Sequence, residues 1–278
     1  MDNLFIEGKL KDILPSQTSV KFDSVESCIY CGSLEGLTDE HVIPLGLGGK
    51  IILPNSSCPQ CSAITSVFEL ICLRNMYGPL RQLYSLPSRR KKQQPKTIPL
   101  KVKFTPTDEW QYIPVEQSEY PFLITFPYFK MPNLISNTVP SDRKGAKTDR
   151  IWIRGASAYE NFKGHLQRIT EQLKVHSIMP ESTARMEEFC QLLAKISHSY
   201  AVAVLGCNNI KYLLNDIILN KELSKCPDVI GSLEKDEKPS EELHEISLNI
   251  VDKFVVVRIR LLAKLGTPTY FVVAGIVE

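Results

Sequence analysis

The chain has 278 residues, with 43% apolar and 23% charged side chains and a formal net charge of +2. That is room for one large domain or two modest ones with an ordinary soluble composition; it excludes a low-complexity chain, and the charge alone does not announce a polyanion binder. No apolar run reaches membrane-span length, and the N-terminus, Met1-Asp-Asn-Leu-Phe-Ile-Glu-Gly8, has neither the basic region nor the long apolar run of a signal peptide, so a cytoplasmic location is expected.

Residues 1–27 read as a leader with one short strand, Val20-Lys-Phe22. Cys28-Ile-Tyr-Cys31 and Cys58-Pro-Gln-Cys61 follow as two Cys-x-x-Cys pairs. Two residues between thiolates let both sulfurs of a tight turn reach one ion, and four sulfurs close a tetrahedral zinc site with no position left for substrate. The expected zinc is therefore structural. Four unrelated buried thiols or two disulfides are the alternatives. Thiolate ligands without a secretion signal fit a reducing cytosol. Cys72, Cys190, Cys207 and Cys226 are scattered and read as core or free thiols.

The gap between the pairs is too long for a simple zinc ribbon, so something folded sits inside it. Glu40-His41-Val-Ile-Pro44 reads as a strand ending at proline, Gly46-Leu-Gly-Gly49 as a turn where positive φ is cheap, and Lys50-Ile-Ile-Leu53 as the returning strand. From Cys58 to Asn75, Ile64, Phe68, Ile71 and Cys72 recur at helical spacing. The local order is strand, loop, strand, helix.

This segment resembles the HNH endonucleases of the ββα-metal superfamily, in a form with four zinc cysteines. The resemblance rests on the Glu-His-Val-Ile-Pro run, the glycine turn and the flanking cysteine pairs, and covers about fifty residues. It implies that His41 is the general base that activates water, a task suited to a group titrating near neutrality. It implies that Glu40 ligates one divalent cation, Mg²⁺ or Mn²⁺ given a hard carboxylate donor. Alternation along an ideal strand would put Glu40 and His41 on opposite faces, which makes Asp39 a competing ligand; the family places the pair where the strand is distorted. The family's middle Asn is absent, since Leu53 stands at that position and Asn55 two residues late, and Ser62 replaces the residue expected after the fourth cysteine. Ser62, Ser66 and Glu69 share a helical face. Glu69 is the carboxylate among them and is the expected substitute ligand.

Downstream, residues 81–103 are basic without an acid, centred on Arg89, Arg90, Lys91 and Lys92. The run reads either as a phosphate-tracking segment or as a solvated loop. Ile98–Phe104 and Tyr120–Phe126 read as strands, 130–149 as a loop, Ile151–Ile153 as a short strand, and Ala158–Val175 as a helix whose basic residues Lys163, His165, Arg168 and Lys174 read as a solvated side, with phosphate contact the alternative. A helix beginning near Met186 repeats Phe189, Cys190, Leu193, Ile196 and Tyr200, with Ser182 or Thr183 as caps, Glu187 and Glu188 in its first turns and Gly206 as its stop. Ile210–Asn220 reads as a buried helix, 225–245 as a surface loop, and Ile250–Leu262 and Tyr270–Val273 as two strands joined in a hairpin. Arg258 and Arg260 share a strand face, which reads as edge-strand solvation or as a phosphate-facing pair. His165, His176, His198 and His244 have no ligand-spaced partner and read as structural or surface groups.

The expected fold is α+β, with a leader (1–27), a zinc-stapled ββα-metal module (28–77), a basic segment with strands and a loop (78–149) and a mixed C-terminal domain (150–278). The expected activity is metal-dependent hydrolysis of phosphodiester bonds in nucleic acid, with DNA the first substrate to test. The C-terminal region would position substrate or bind a protein partner. Such nucleases resemble parts of restriction, phage-defence or mobile-element systems. The rival expectation is a zinc-containing nucleic-acid-binding protein that cuts nothing. A deaminase is disfavoured, because its zinc must stay open to water.

Overall fold

The computed structural model describes residues 19–87, 96–137, 152–157, 161–233 and 237–277. The protein is a mixed α and β structure. Its first part holds strands β1 (Val20–Lys21) and β2 (Thr38–His41), a 3-10 turn at Leu45–Leu47, strand β3 (Ile51–Ser57) and helix α1 (Pro59–Ile71). A π-helical turn, Cys72–Met76, and helix α2 (Gly78–Leu83) follow. Strand β3 lies in the middle of this sheet, parallel to β1 and antiparallel to β2.

The middle of the chain supplies β4 (Thr97–Lys103), β5 (Gln111–Glu116), β6 (Leu123–Tyr128), β7 (Trp152–Ser157), α3 (Phe162–Leu173) and β8 (Ser177–Met179). Strands β5, β4 and β8 form one sheet, and β6 and β7 pair as a two-stranded ribbon. Ile98, Leu100, Val102, Val115 and Phe122 pack with Ile169 of α3 into a small core of their own.

The last part contains α4 (Met186–Leu205), β9 (Ile210–Tyr212), α5 (Asn215–Asn220), α6 (Cys226–Val229), β10 (Ile230–Ser232), β11 (His244–Val251), β12 (Phe254–Leu261) and β13 (Tyr270–Val277). The sheet order is β10-β13-β12-β11, with β9 also on β13. Every residue from Phe189 to Val202 is buried, so α4 is enclosed on all sides rather than on one stripe. Residues of α4, of this sheet and of the segment that carries the two cysteine pairs belong to one continuous core. No helix among the described residues is long and apolar enough to cross a membrane.

Several expectations are corrected. Ile210–Asn220 is not one helix. Its first residues pair with β13, Ile210 opposite Val277 and Tyr212 opposite Gly275, because an open strand offers them hydrogen bonds before the helix can begin. The 225–245 stretch is not all loop, since it contains α6, β10 and the start of β11. The strand expected from Ile250 is instead the end of one strand and the start of the next, joined through Asp252 in the left-handed region at φ 55. Ser182 does not cap α4, because its hydroxyl accepts from the Thr125 backbone N–H at 3.0 Å. Glu187, Glu188 and the Gly206 stop fall where expected.

Arg258 and Arg260 sit on an interior strand, not an edge. Arg258 pairs with Glu237 at 3.1 Å and with Glu245 at 3.0 Å; Arg260, buried, donates to the Thr267 carbonyl at 2.9 Å and pairs with Glu237 at 3.4 Å. This is a satisfied internal ion network, since buried charges persist when paired and hydrogen-bonded. It offers no free cation to a phosphate.

Candidate functional site

The two cysteine knuckles form from local geometry. Cys28 opens a tight turn in which Gly32 donates to the Cys28 carbonyl at 2.8 Å and Cys28 donates to that of Ser33 at 2.7 Å. Cys58 precedes the first residue of α1, Pro59, whose missing N–H costs nothing there. The four sulfurs of Cys28, Cys31, Cys58 and Cys61 lie within 4.8 Å of one another, and those of Cys31 and Cys58 are 3.6 Å apart. Sulfurs bound tetrahedrally at ~2.3 Å stand roughly 3.8 Å apart, so the arrangement fits one closed zinc. All four cysteines are free, which removes the disulfide alternative. Burial opposes ionisation of Cys58, but the Cys61 backbone N–H and the neighbouring sulfurs outweigh it and bring that thiol down to about 7.

Strand β2 carries the next set of groups. Its register with β3 runs His41 to Ile52 and Glu40 to Leu53, then jumps to Thr38 opposite Ser57. The extra residues bulge around Asn55, at φ 45. A bulge re-aims side chains: here Glu40 is buried, His41 half-buried and Asp39 exposed. The turn after His41 is held by glycines for two separate reasons. Gly48 lies at φ 85, and a Cβ on Gly49 would stand 1.9 Å from the Ile43 carbonyl oxygen. Arg81, placed in the basic segment by its sequence, is a structural group that donates to the carbonyls of Gly46 at 2.6 Å and Pro87 at 2.9 Å.

Glu40 and Glu69 converge, and what they meet is Lys195. Its Nζ, wholly buried, lies 2.5 Å from a Glu40 carboxylate oxygen and 2.9 Å from one of Glu69. It also donates to the His41 carbonyl and reaches that of Val42 at 3.4 Å. Burial works against the ammonium, yet the two carboxylates outweigh it and hold its pKa above the usual lysine value. Two carboxylates against one ammonium leave one negative charge uncompensated among these side chains.

The same stretch of α4 grips the first knuckle. His198 Nε2–H donates to the Ile29 carbonyl at 2.7 Å, and its ring stacks on Tyr30 with centroids 5.4 Å apart. Tyr30 and Ser199 share a hydroxyl contact at 3.3 Å. On the far side of the glycine turn, His244 Nε2–H donates to the Leu47 carbonyl at 2.8 Å while its Nδ1 accepts from Leu262 N–H at 3.1 Å. Burial pushes both imidazoles down to about 4.

A depressed folded-state pKa on a base means that the unfolded chain takes up the proton first. Between about 6.5 and 4, stability is lost as pH falls, by roughly 3 kcal/mol for each histidine over the whole window. Thermal midpoints should drop from pH 7 to 5, with zinc content followed in parallel, and the drop should be smaller in His244→Gln. Equal slopes for the two proteins would show that His244 is not held neutral.

The expected residues divide cleanly. The four cysteines meet, and Glu40 and Glu69 meet across β2 and α1. Asp39 is not brought to them; it faces outward, accepting from Asn55 N–H at 3.4 Å and pairing with Lys21 at 3.6 Å. Ser62 and Ser66 stay with the helix, Ser66 donating to the Ala63 carbonyl at 2.9 Å. Arg89, Arg90, Lys91 and Lys92 lie outside the described residues. Lys195 was missed. The signal available was a single cation inside the apolar run Leu192-Leu193-Ala194-Lys195-Ile196, which in a buried helix must face an acid. No family model, no curated protein and no solved structure matches this chain.

Proposed function

We propose that this protein is a metal-dependent endonuclease of the HNH type that hydrolyses phosphodiester bonds in nucleic acid, with DNA the first substrate to test. The observation that carries the proposal is the meeting of Glu40 and Glu69 at a point that already holds a cation, one residue from His41, on a module closed by four cysteines. The side chains that meet at that point offer carboxylate oxygens, hard donors that suit Mg²⁺ or Mn²⁺. Glu40 and Glu69 would hold the ion. When bound, it supplies positive charge to the scissile phosphate and the departing oxygen.

The rest of the work belongs to the chain. His41 takes the proton from the attacking water. Pairing with Ile52 on one side and the Lys195 contact to its carbonyl fix its backbone. The zinc stays structural, holding the start of α1 and hence Glu69. Arg89, Arg90, Lys91 and Lys92 would track phosphates. Free thiolate ligands fit a reducing compartment such as the cytosol.

A second reading has one observation in its favour. Lys195 already neutralises part of the carboxylate pair, so the cluster can persist without a divalent ion, as it would in a protein that binds nucleic acid and cuts nothing. Plasmid and RNA cleavage with Mg²⁺ or Mn²⁺, against chelator, separates the two. Wild type should cut only with metal, and Glu69→Gln should cut about 100-fold more slowly with zinc content unchanged. Unchanged cleavage by Glu69→Gln would remove Glu69 from the site; binding without cleavage by wild type would leave the second reading.

A further inference from the structure

Lys195 occupies the point at which Glu40 and Glu69 meet. Its ammonium touches both carboxylates, and their oxygens are therefore close to each other. Two like charges that near cannot both stay ionised without a cation between them. Nothing else in the buried stretch Phe189–Val202 carries a formal positive charge. We propose that Lys195 is the resident cation of the metal position: it keeps Glu40 and Glu69 together before metal arrives, and a divalent ion must displace it, so that Lys195 sets the threshold for metal binding. This rests on reading Glu40 and Glu69 as metal ligands.

The charges say which way the exchange runs. With the ammonium in place the cluster keeps one negative charge; a divalent ion between the carboxylates cancels both. Opposing this, the ammonium must leave the carboxylates while buried, which is costly for a charge without partners. The carbonyls of His41 and Val42 already accept from Nζ and remain as acceptors after exchange. Solvent reaches the Glu69 side chain, which is 20% exposed, and not that of Lys195, which is fully covered.

The test is Mn²⁺ binding, read from the signal of free Mn²⁺ by electron paramagnetic resonance, in wild type, Lys195→Met and the triple variant Glu40→Gln/Glu69→Gln/Lys195→Met. Lys195→Met should bind Mn²⁺ about ten-fold more tightly than wild type or better, as removal of a competing charge at contact distance requires. Mn²⁺ should also raise its thermal midpoint more than that of wild type. The triple variant, neutral and of similar volume, should fold and bind no Mn²⁺ at this position. If Lys195→Met folds only when Mn²⁺ is present, the proposal stands; if it fails to fold with or without Mn²⁺ while the triple variant folds, the proposal falls. Equal or weaker Mn²⁺ binding by Lys195→Met also overturns it, as does the absence of binding by both proteins. Cleavage is scored separately. A wild type that cuts with Mn²⁺, beside a Lys195→Met with no gain in affinity, keeps the nuclease and removes the competitor. A wild type that cuts nothing, beside a Lys195→Met that gains Mn²⁺, removes the nuclease and keeps the competitor.

Discussion

Cys58→Ser should lose its zinc and much of the stability of the protein, with a fall in thermal midpoint of more than about 10 °C. Cys58 is the residue on which both knuckles depend, because it caps the start of α1 and its sulfur lies beside that of Cys31. Structural zinc in small domains contributes about 10–16 kcal/mol of apparent binding free energy, against a total stability of about 5–15 kcal/mol for an ordinary protein. Part of the zinc segment would still be held by the shared core, so the loss is smaller than the full binding energy. Even a net loss of about 4 kcal/mol moves the midpoint by roughly 8–16 °C in a chain of this size class. Zinc per chain and a circular-dichroism melt measure the effect. A variant that keeps one zinc per chain and melts within about 2 °C of wild type would show that Cys58 is not a ligand.

His41→Ala should slow cleavage by about 10²–10⁴-fold, the range supplied by a positioned general base. Its effect on stability should be under about 1 kcal/mol, since the side chain is half-buried and the group that meets Lys195 is the backbone carbonyl, which alanine retains. Zinc content and Mn²⁺ affinity should stay at their wild-type values. That combination separates a proton-transfer role from a structural one, because a collapse of β2 would disturb Glu40 and hence the metal position. Single-turnover cleavage of a short duplex is the measurement of choice. A variant that cuts at the wild-type rate would place the base elsewhere.

What could be read from the sequence was local. The cysteine spacing dictated a cluster because two residues between thiolates leave few other geometries. Helix α4 announced itself through apolar recurrence and its glycine stop, both properties of a single segment. The pairing of Glu40 with Glu69 was legible only because a carboxylate stood on the helical face that carries Ser62 and Ser66. Lys195 was illegible for the opposite reason: it is far from Glu40 in sequence, and no periodicity encodes a contact made through the tertiary fold. Strand β11 was hidden by its turn. Asp252 takes a left-handed conformation without glycine to mark it, so of Ile246, Leu248 and Ile250, which alternate as a strand should, the first two were assigned to no element and Ile250 was given to the strand after the turn. The start of Ile210–Asn220 went wrong because pairing with β13 overrode the helical pattern.

The grip of α4 on the first knuckle bears on how portable the zinc segment is. A zinc finger can be cut from one protein and spliced into another, since its metal is nearly all that it needs. Here Ile29, Tyr30 and the carbonyls of His41 and Val42 lean on His198, Ser199 and Lys195, and the glycine turn leans on His244. A fragment ending before α4 would carry all four cysteines and both carboxylates yet have no cation to hold Glu40 and Glu69 together. Grafts and truncations that treat the segment as a cassette should therefore bind zinc without reproducing the carboxylate pair. The transplantable unit is a discontinuous one: the knuckles together with a helix that the chain reaches more than a hundred residues later.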